Sequence, residues 1–301
     1  MGKPSFYRWC LIVIASAFFL SACSPTQEVT ALNTPTSTVK MVTSTATQTP
    51  QPTQTATATP PEPTQMPSLT PTPTWTFNEP GEVIAPILLY HRIAGETFDN
   101  RYQVSIPDFR AQMETLHELG YTTIPVSRLL DALLEGSTLP EKPIVITFDD
   151  GHESVYKQAF PIMEEFGFSG VFYIVANRIY DVPDFVNVEE LKEMIAAGWE
   201  IGSHSYTHAD LTLNHDSAGY EIGQSKSDLK AALSTDIQTF AYPFGKIDPA
   251  SAGKVIAYGY RAGMGLGTSV THTLNTLYYL DRREVYGYFT IDDFIALLGE
   301  E

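Results

Sequence analysis

The sequence predicts an α/β fold, a deformed or incomplete (β/α) barrel of about seven units preceded by a disordered stalk. Three observations predict it. From Pro86 onward, short apolar runs alternate with amphipathic stretches of helical spacing. Several of those stretches stop at a glycine: Gly120, Gly136, Gly167, Gly198 and Gly259. Upstream, residues 24–80 hold 18 Thr and 11 Pro but only four charged side chains. Strands alternating with helices of roughly 10–15 residues argue for parallel βαβ units. Seven or so units in the 221 residues from Gly81 to Glu301 suit a barrel better than a small open sheet.

Taken in order, the strands fall at 87–90, 122–124, 144–148, 170–175, 200–203, 239–242, 261–262 and 277–280. The helices fall at 106–119, 127–134, 152–166, 188–197, 217–233 and 249–258. In the first helix Phe109, Met113 and Leu116 share one face. Asn187 with Glu190 three residues on resembles a capping box that lacks the usual Ser or Thr. Trp199 follows a helix-ending glycine and is expected in the core. In a barrel of this kind the active site lies at the C-terminal ends of the strands.

The first 22 residues read as an export signal. Lys3 and Arg8 form a short basic region, and residues 9–20 are almost entirely apolar. That run is short for a membrane-spanning helix, which needs roughly 20 residues. Leu20-Ser21-Ala22-Cys23 resembles the lipobox of bacterial lipoproteins. The resemblance implies cleavage before Cys23 and a diacylglyceryl thioether on it, so that the exported protein is lipid-anchored at a cell membrane or cell surface. The alternative is an uncleaved or simply secreted signal. Residues 23–80 then form the lipidated cysteine and a Thr/Pro-rich linker. Such a stretch has too little apolar surface to offset its ordering entropy, and proline keeps it extended. Residues 81–301 form the catalytic domain.

Charge and cysteine content exclude several classes. The chain carries 35 acidic and 18 basic residues, a net charge of −17. Three of each sign precede Gly81, so the whole excess falls on the domain. An acidic surface repels phosphate backbones, so no nucleic-acid partner is expected. Cys10 and Cys23 are the two cysteines, too few for a thiolate zinc cluster or a disulfide framework.

Three polar clusters sit at predicted strand ends. The first is Thr147-Phe148-Asp149-Asp150-Gly151. Adjacent carboxylates on a strand point oppositely, but a turn through Gly151 lets both aim into one site. By itself the cluster also fits a solvated turn with Asp150 as a helix N-cap. The second is His204-Ser205-Tyr206-Thr207-His208. Histidines four apart meet on one helical face, and a compact loop can also bring them together; imidazole with carboxylate suits borderline metals. The third is Tyr242-Pro243-Phe244-Gly245, where a free backbone N–H before the proline could face the site.

In this order the clusters resemble the polysaccharide deacetylase family, carbohydrate esterase family 4 or the NodB homology domain. TFDDG at 147–151 matches its first motif and H[ST]xxH at 204–208 its second; residues 242–245 match its third in part. The resemblance implies that Asp150, His204 and His208 bind one divalent metal, most often zinc, and that Asp149 is the general base. Leu89-Tyr90-His91 resembles the family's LxH motif, moved to the front by circular permutation in the subgroup that includes poly-N-acetylglucosamine deacetylases. That makes His91 the candidate general acid; otherwise it is a structural strand-end histidine. The resemblance further implies that the Tyr242 backbone N–H and the metal hold the oxyanion. Tyr206, Tyr242 and Phe244 are candidates to stack on a sugar ring, the alternative being packing beside a strand. Ala241 stands where many members have arginine, and Arg282 is the candidate replacement, the alternative being a surface ion pair.

The expected activity is metal-dependent hydrolysis of N-acetyl groups on an amino-sugar polymer, of poly-N-acetylglucosamine, peptidoglycan or chitin-like type. The competing readings are a catalytically impaired carbohydrate-binding lipoprotein, a deacetylase of a non-sugar amide, and an iron oxygenase built on two histidines and one carboxylate. Among the other histidines, His152 is a candidate cleft residue. His117 is expected in solvent, and His215 and His272 in loops.

Overall fold

The computed structural model describes residues 73–97 and 100–299. The expected signal peptide, Cys23 and the linker as far as residue 72 lie outside the described residues. Among those described, no helix is long and apolar enough to cross a membrane.

Eight strands build the main sheet: β1 (Ile87–Tyr90), β2 (Thr122–Thr123), β3 (Pro143–Phe148), β4 (Val171–Ile174), β5 (Glu200–Ser203), β6 (Thr239–Ala241), β7 (Ala262–Met264) and β8 (Arg283–Glu284). Their order is β7-β6-β5-β4-β3-β1-β8, with β2 paired to the start of β3, and every pair is parallel. The helices are α1 (Ile106–Glu118), α2 (Val126–Glu135), α3 (Phe160–Glu165), α4 (Val188–Ala196), α5 (His215–Leu233), α6 (Pro249–Ala257) and α7 (Ile291–Ala296). β1 and β4 are buried at every position, as a parallel sheet covered on both faces requires.

Alternate residues feed two cores. Leu88, Ile146, Phe172 and Phe240 pack with Phe109, Met113, Leu191 and Ile222 from the helices. Ile87, Val145, Val171, Met264 and Leu280 pack with Leu129, Leu130 and Leu133 of α2. Pro125, at the N-cap of α2, offers no side-chain cap. The Glu200 carboxylate at the start of β5 accepts the Ser127 N–H instead, at 3.1 Å.

The two ends of the sheet are joined by one segment. Leu280 makes a parallel bridge with Met264 of β7, and Arg283 and Glu284 pair with Leu88 and Leu89 of β1. This corrects the strand expected at 277–280. Leu277 and Tyr279 form turn bonds back to Leu274 and Thr276; the Leu277 carbonyl accepts the Gly263 N–H at 3.1 Å, but only Leu280 makes a bridge to β7.

Two further differences have local causes. The helix expected at 152–166 is split into a π-helical stretch, Val155–Ala159, and α3. Pro161, which has no N–H to give, lies in the first turn of α3, where the missing donor does no harm. Residues 75–78, placed with the linker on composition, form a strand, Trp75–Asn78, antiparallel to Ser137–Pro140. Its alternating Trp75 and Phe77 was the strand signal. The capping box at Asn187 and Glu190 is present on α4, and Trp199 is buried.

Candidate active site

Strand ends deliver the polar clusters to one cleft of about 440 Å³. Beyond β3, Asp149 still gives its N–H to the Tyr90 carbonyl at 3.0 Å. Asp150 (φ 74°) and Gly151 (φ 80°) then turn the chain through the left-handed region, which aspartate tolerates and glycine favours. The turn brings both carboxylates to the cleft, Asp149 buried and Asp150 more open. Asp150 is therefore not a helix cap.

Beyond β5, residues 204–208 form a loop and not a helical turn, with Ser205 and His208 at φ 66° and 68°. Glu221, buried on α5, clamps it. Its carboxylate accepts the N–H groups of Tyr206 and Thr207 at 3.0 and 2.8 Å and the Thr207 hydroxyl at 2.7 Å. Sequence reasoning missed Glu221. Its only signal was an acidic residue beside apolar Ile222 and Ala218 on one helix.

His204 directs Nδ1 at the Ala241 carbonyl, 2.8 Å away, which leaves Nε2 for the cleft. Asp150 Oδ1 lies 3.7 Å from His204 Nε2 and 3.2 Å from His208 Nε2. The three residues each offer a ligand atom, all within 4.8 Å of one another, and no other such group occurs among the described residues. Asp150 Oδ1 is buried and has no hydrogen-bond partner. A buried carboxylate oxygen without a donor, facing two imidazoles, fits a divalent cation. Burial first, and then the neighbouring His204, lowers the His208 imidazole to about 4, so it is neutral as a metal ligand must be.

Arg282 reaches Asp149 from the segment that joins the sheet ends. Two guanidinium nitrogens donate to the two carboxylate oxygens at 2.7 Å each, and Nη1 also reaches Thr147 Oγ1 at 3.3 Å. Arg282 is 1% exposed, so the pair is buried and not a surface ion pair. Burial pushes the Asp149 carboxyl up, but Arg282 and then His204 outweigh it and hold the group at about 2. Asp149 is thus an ionised carboxylate, buried but lining the cleft.

His91 also lines the cleft, beside Asp149 and Asp150. Its ring lies 4.8 Å from that of Tyr102, and Nδ1 is buried without a partner. Burial lowers its pKa, against the pull of Asp149, Asp150 and Glu284.

The third cluster divides. The Tyr242 N–H, expected to be free, donates to the Met264 carbonyl at 3.2 Å in the β6–β7 ladder. The Tyr242 ring is buried between Phe240 and Tyr279 and does not line the cleft. Phe244 is 56% exposed, lines the cleft and meets the His208 ring edge-on at 4.5 Å. His152 bonds Ser154 at 2.8 Å outside the cleft lining. His117 is exposed. His215 heads α5 and meets Asp248, while His272 is buried in a short strand with Nε2 on the Ala85 carbonyl. The cleft also holds Arg92, Arg101, Tyr102 and Glu284, which no motif announced.

A family model described as polysaccharide deacetylase matches residues 136–263. The chain is 23% identical over 222 residues to the poly-beta-1,6-N-acetyl-D-glucosamine N-deacetylase of Staphylococcus aureus (strain MRSA252), covering 65% of this chain and 76% of that protein. It is 35% identical over 95 residues to the enzyme of the same name from Escherichia coli (strain K12), where the match spans 14% of that protein's length. Among solved structures, a polysaccharide deacetylase from Bacillus cereus superposes with a TM-score of 0.64 at 25% identity, over 72% of this chain and 69% of that one. The motifs, the parallel sheet and these likenesses agree: the chain carries a polysaccharide deacetylase domain of the NodB type, carbohydrate esterase family 4, which the family model matches over residues 136–263.

Proposed function

We propose that the chain hydrolyses N-acetyl groups on an amino-sugar polymer at the cell surface, with one divalent metal, zinc by choice of ligands. The observation that carries this reading is the ionised, arginine-held Asp149 beside the Asp150, His204 and His208 donor set. Poly-N-acetylglucosamine is the first candidate polymer, because two of the relatives above are named for acting on it. Export and lipid anchoring through Cys23 complete the reading, supported by the basic, apolar and Leu20-Ser21-Ala22-Cys23 order of the N-terminus.

Asp150, His204 and His208 would hold the metal. When bound, it supplies Lewis-acid polarisation of the acetyl carbonyl and a lowered pKa for water. Asp149 takes a proton from the attacking water as the new carbon–oxygen bond forms. Arg282 keeps the base in place and charged. His91 gives a proton to the nitrogen as the carbon–nitrogen bond breaks, leaving acetate and a free amine. With the Tyr242 N–H spent in the ladder, backbone help for the oxyanion is not assigned to it. Phe244 offers an exposed ring face to the sugar.

The pH dependence follows from His91. The acid must be protonated, and its pKa lies below the ordinary 6.5 because the ring is buried. Activity therefore falls as pH rises through that lowered value, and a bound cation would move it the same way. The test is acetate release by the full chain from β-1,6-linked N-acetylglucosamine oligomers. Release should vanish with chelator, return with zinc and drop about 10²–10⁴-fold in Asp149→Asn. The alkaline limb of kcat/KM should lie below pH 6.5. No release from a protein holding stoichiometric metal would sink the reading and favour a non-sugar amide.

A further inference from the structure

The two histidines of the donor set are held in different ways. The sheet anchors His204. Its N–H donates to the Ile174 carbonyl at 2.8 Å, and its Nδ1 faces the Ala241 carbonyl at 2.8 Å. A partner on the far nitrogen fixes an imidazole and aims the other nitrogen at a metal. No such partner holds Nδ1 of His208 among the described residues. Beyond Asp150, its ring has only ring neighbours, His204 at 4.8 Å and Phe244 at 4.5 Å. The aim of His208 Nε2 is therefore set by its backbone.

That backbone needs outside support. Ser205 and His208 both lie in the left-handed region, at φ 66° and 68°, where residues other than glycine persist only if their surroundings over-determine them. The Ala176 and Asn177 N–H groups donate to the Ser205 and Tyr206 carbonyls at 3.1 Å each, and Ser205 Oγ accepts the His208 N–H at 2.8 Å. The Tyr206 ring packs against Tyr220 at 5.0 Å, outside the cleft lining. The remaining loop donors all go to Glu221. One carboxylate oxygen accepts the Tyr206 and Thr207 N–H groups, and the other accepts the Thr207 hydroxyl. Glu221 is 5% exposed, and no lysine or arginine pairs with it among the described residues. A buried carboxylate without a counter-cation is costly, and here three donors from one loop offset that cost.

We propose that Glu221 is the positioning residue for His208: from α5 it fixes the 204–208 loop and so sets the affinity and geometry of the metal site. The inference rests on the assignment of Asp150, His204 and His208 as metal ligands. Glu221 acts as an acceptor and not as a charge. Glutamine can keep both N–H bonds with its carbonyl oxygen and turn its amide toward the Thr207 oxygen, whereas leucine fills a similar volume and accepts nothing.

The test is the zinc affinity of the full chain, measured by competition with a chromophoric chelator, together with the visible spectrum of the cobalt-substituted form, which reports ligand number and geometry. Circular dichroism of each metal-free variant checks that it is folded. Glu221→Leu should weaken zinc binding roughly ten- to a hundredfold and change the cobalt spectrum. Glu221→Gln should stay within about threefold of wild type and keep the wild-type spectrum. Wild-type affinity and spectrum in Glu221→Leu would overturn the proposal and leave the metal site standing. A glutamine variant as weak as the leucine one would also overturn it, because charge would then be what matters. Should Glu221→Leu not fold, Thr207→Val decides, since it removes one contact at an exposed residue: a loss of roughly two- to tenfold supports the proposal, and unchanged affinity overturns it. A wild-type chain that binds no zinc would remove the metal assignment and this inference with it.

Discussion

Asp149 and Arg282 show how one buried pair serves both chemistry and stability. The carboxylate sits at about 2 against an ordinary 3.8. Its folded value is below its unfolded one, so the linked stability, on the order of 2 kcal/mol, is present above pH 3.8 and lost as pH falls through about 2. Removing one partner should cost more than the pair contributes. Arg282→Met leaves a buried charge unpaired and is expected to destabilise by about 3–5 kcal/mol in denaturant unfolding. Adding Asp149→Asn should recover a good part of that loss. If the double variant is no more stable than Arg282→Met, the ion pair is not what Arg282 provides. At this scale the sequence was legible where the chemistry is local. TFDDG and HSYTH marked Asp149, Asp150, His204 and His208 as neighbours through the resemblance they carry; each cluster alone also fitted a solvated turn or a chance histidine pair. Arg282 was legible only by analogy, and Glu221 not at all, because each acts from a segment far away in sequence. The Tyr242 N–H misled because a proline next door says nothing about register across the ladder.

Among the elements, β5 depends on a close approach. A Cβ at Gly202 would collide with the Tyr173 ring, which itself bonds Thr239 on β6. Gly202 lies two residues before His204, so strain there reaches a metal-binding candidate. Gly202→Ala is expected to cost about 1–3 kcal/mol through overpacking, with zinc affinity falling alongside. A variant that melts like wild type and binds zinc equally would show that Tyr173 moves aside freely. Most strands and helices were readable to within a few residues, because β1, β3 and β4 are continuous apolar runs bounded by turn residues. The closing segment was not. Leu277 and Leu280 look like strand residues, but the turns at 274–279 leave Leu277 a single bond to Gly263 and put the bridge to β7 at Leu280. Trp75 and Phe77 alternated as a strand should, yet the Thr and Pro around them masked the signal.

For the whole molecule, charge would separate the substrate of the proposed reaction from its product. The domain bears the entire excess of −17, while an N-acetylated glycan is neutral and its deacetylated form cationic. The acidic surface should therefore hold product more tightly than substrate at low salt. Raising salt from about 50 to about 300 mM should weaken inhibition by glucosamine oligomers several-fold, since exposed charges are screened beyond roughly 6–14 Å over that range. KM for neutral oligomers should barely move. Equal salt sensitivity of KM and of inhibition would remove electrostatics as the cause.

The segment that joins the two ends of the sheet also sets an order of assembly. β1 and β3, which carry His91 and the aspartates, can pair once residue 150 has been made, but Arg282 docks 132 residues later. Until it does, Asp149 lacks the two guanidinium donors that hold its carboxylate in place. A nascent or partly folded chain thus carries its candidate base without the group that orients it. On the proposed mechanism, activity should appear only at this last pairing step, so that its recovery during refolding would report the joining of the sheet's ends rather than collapse of its core.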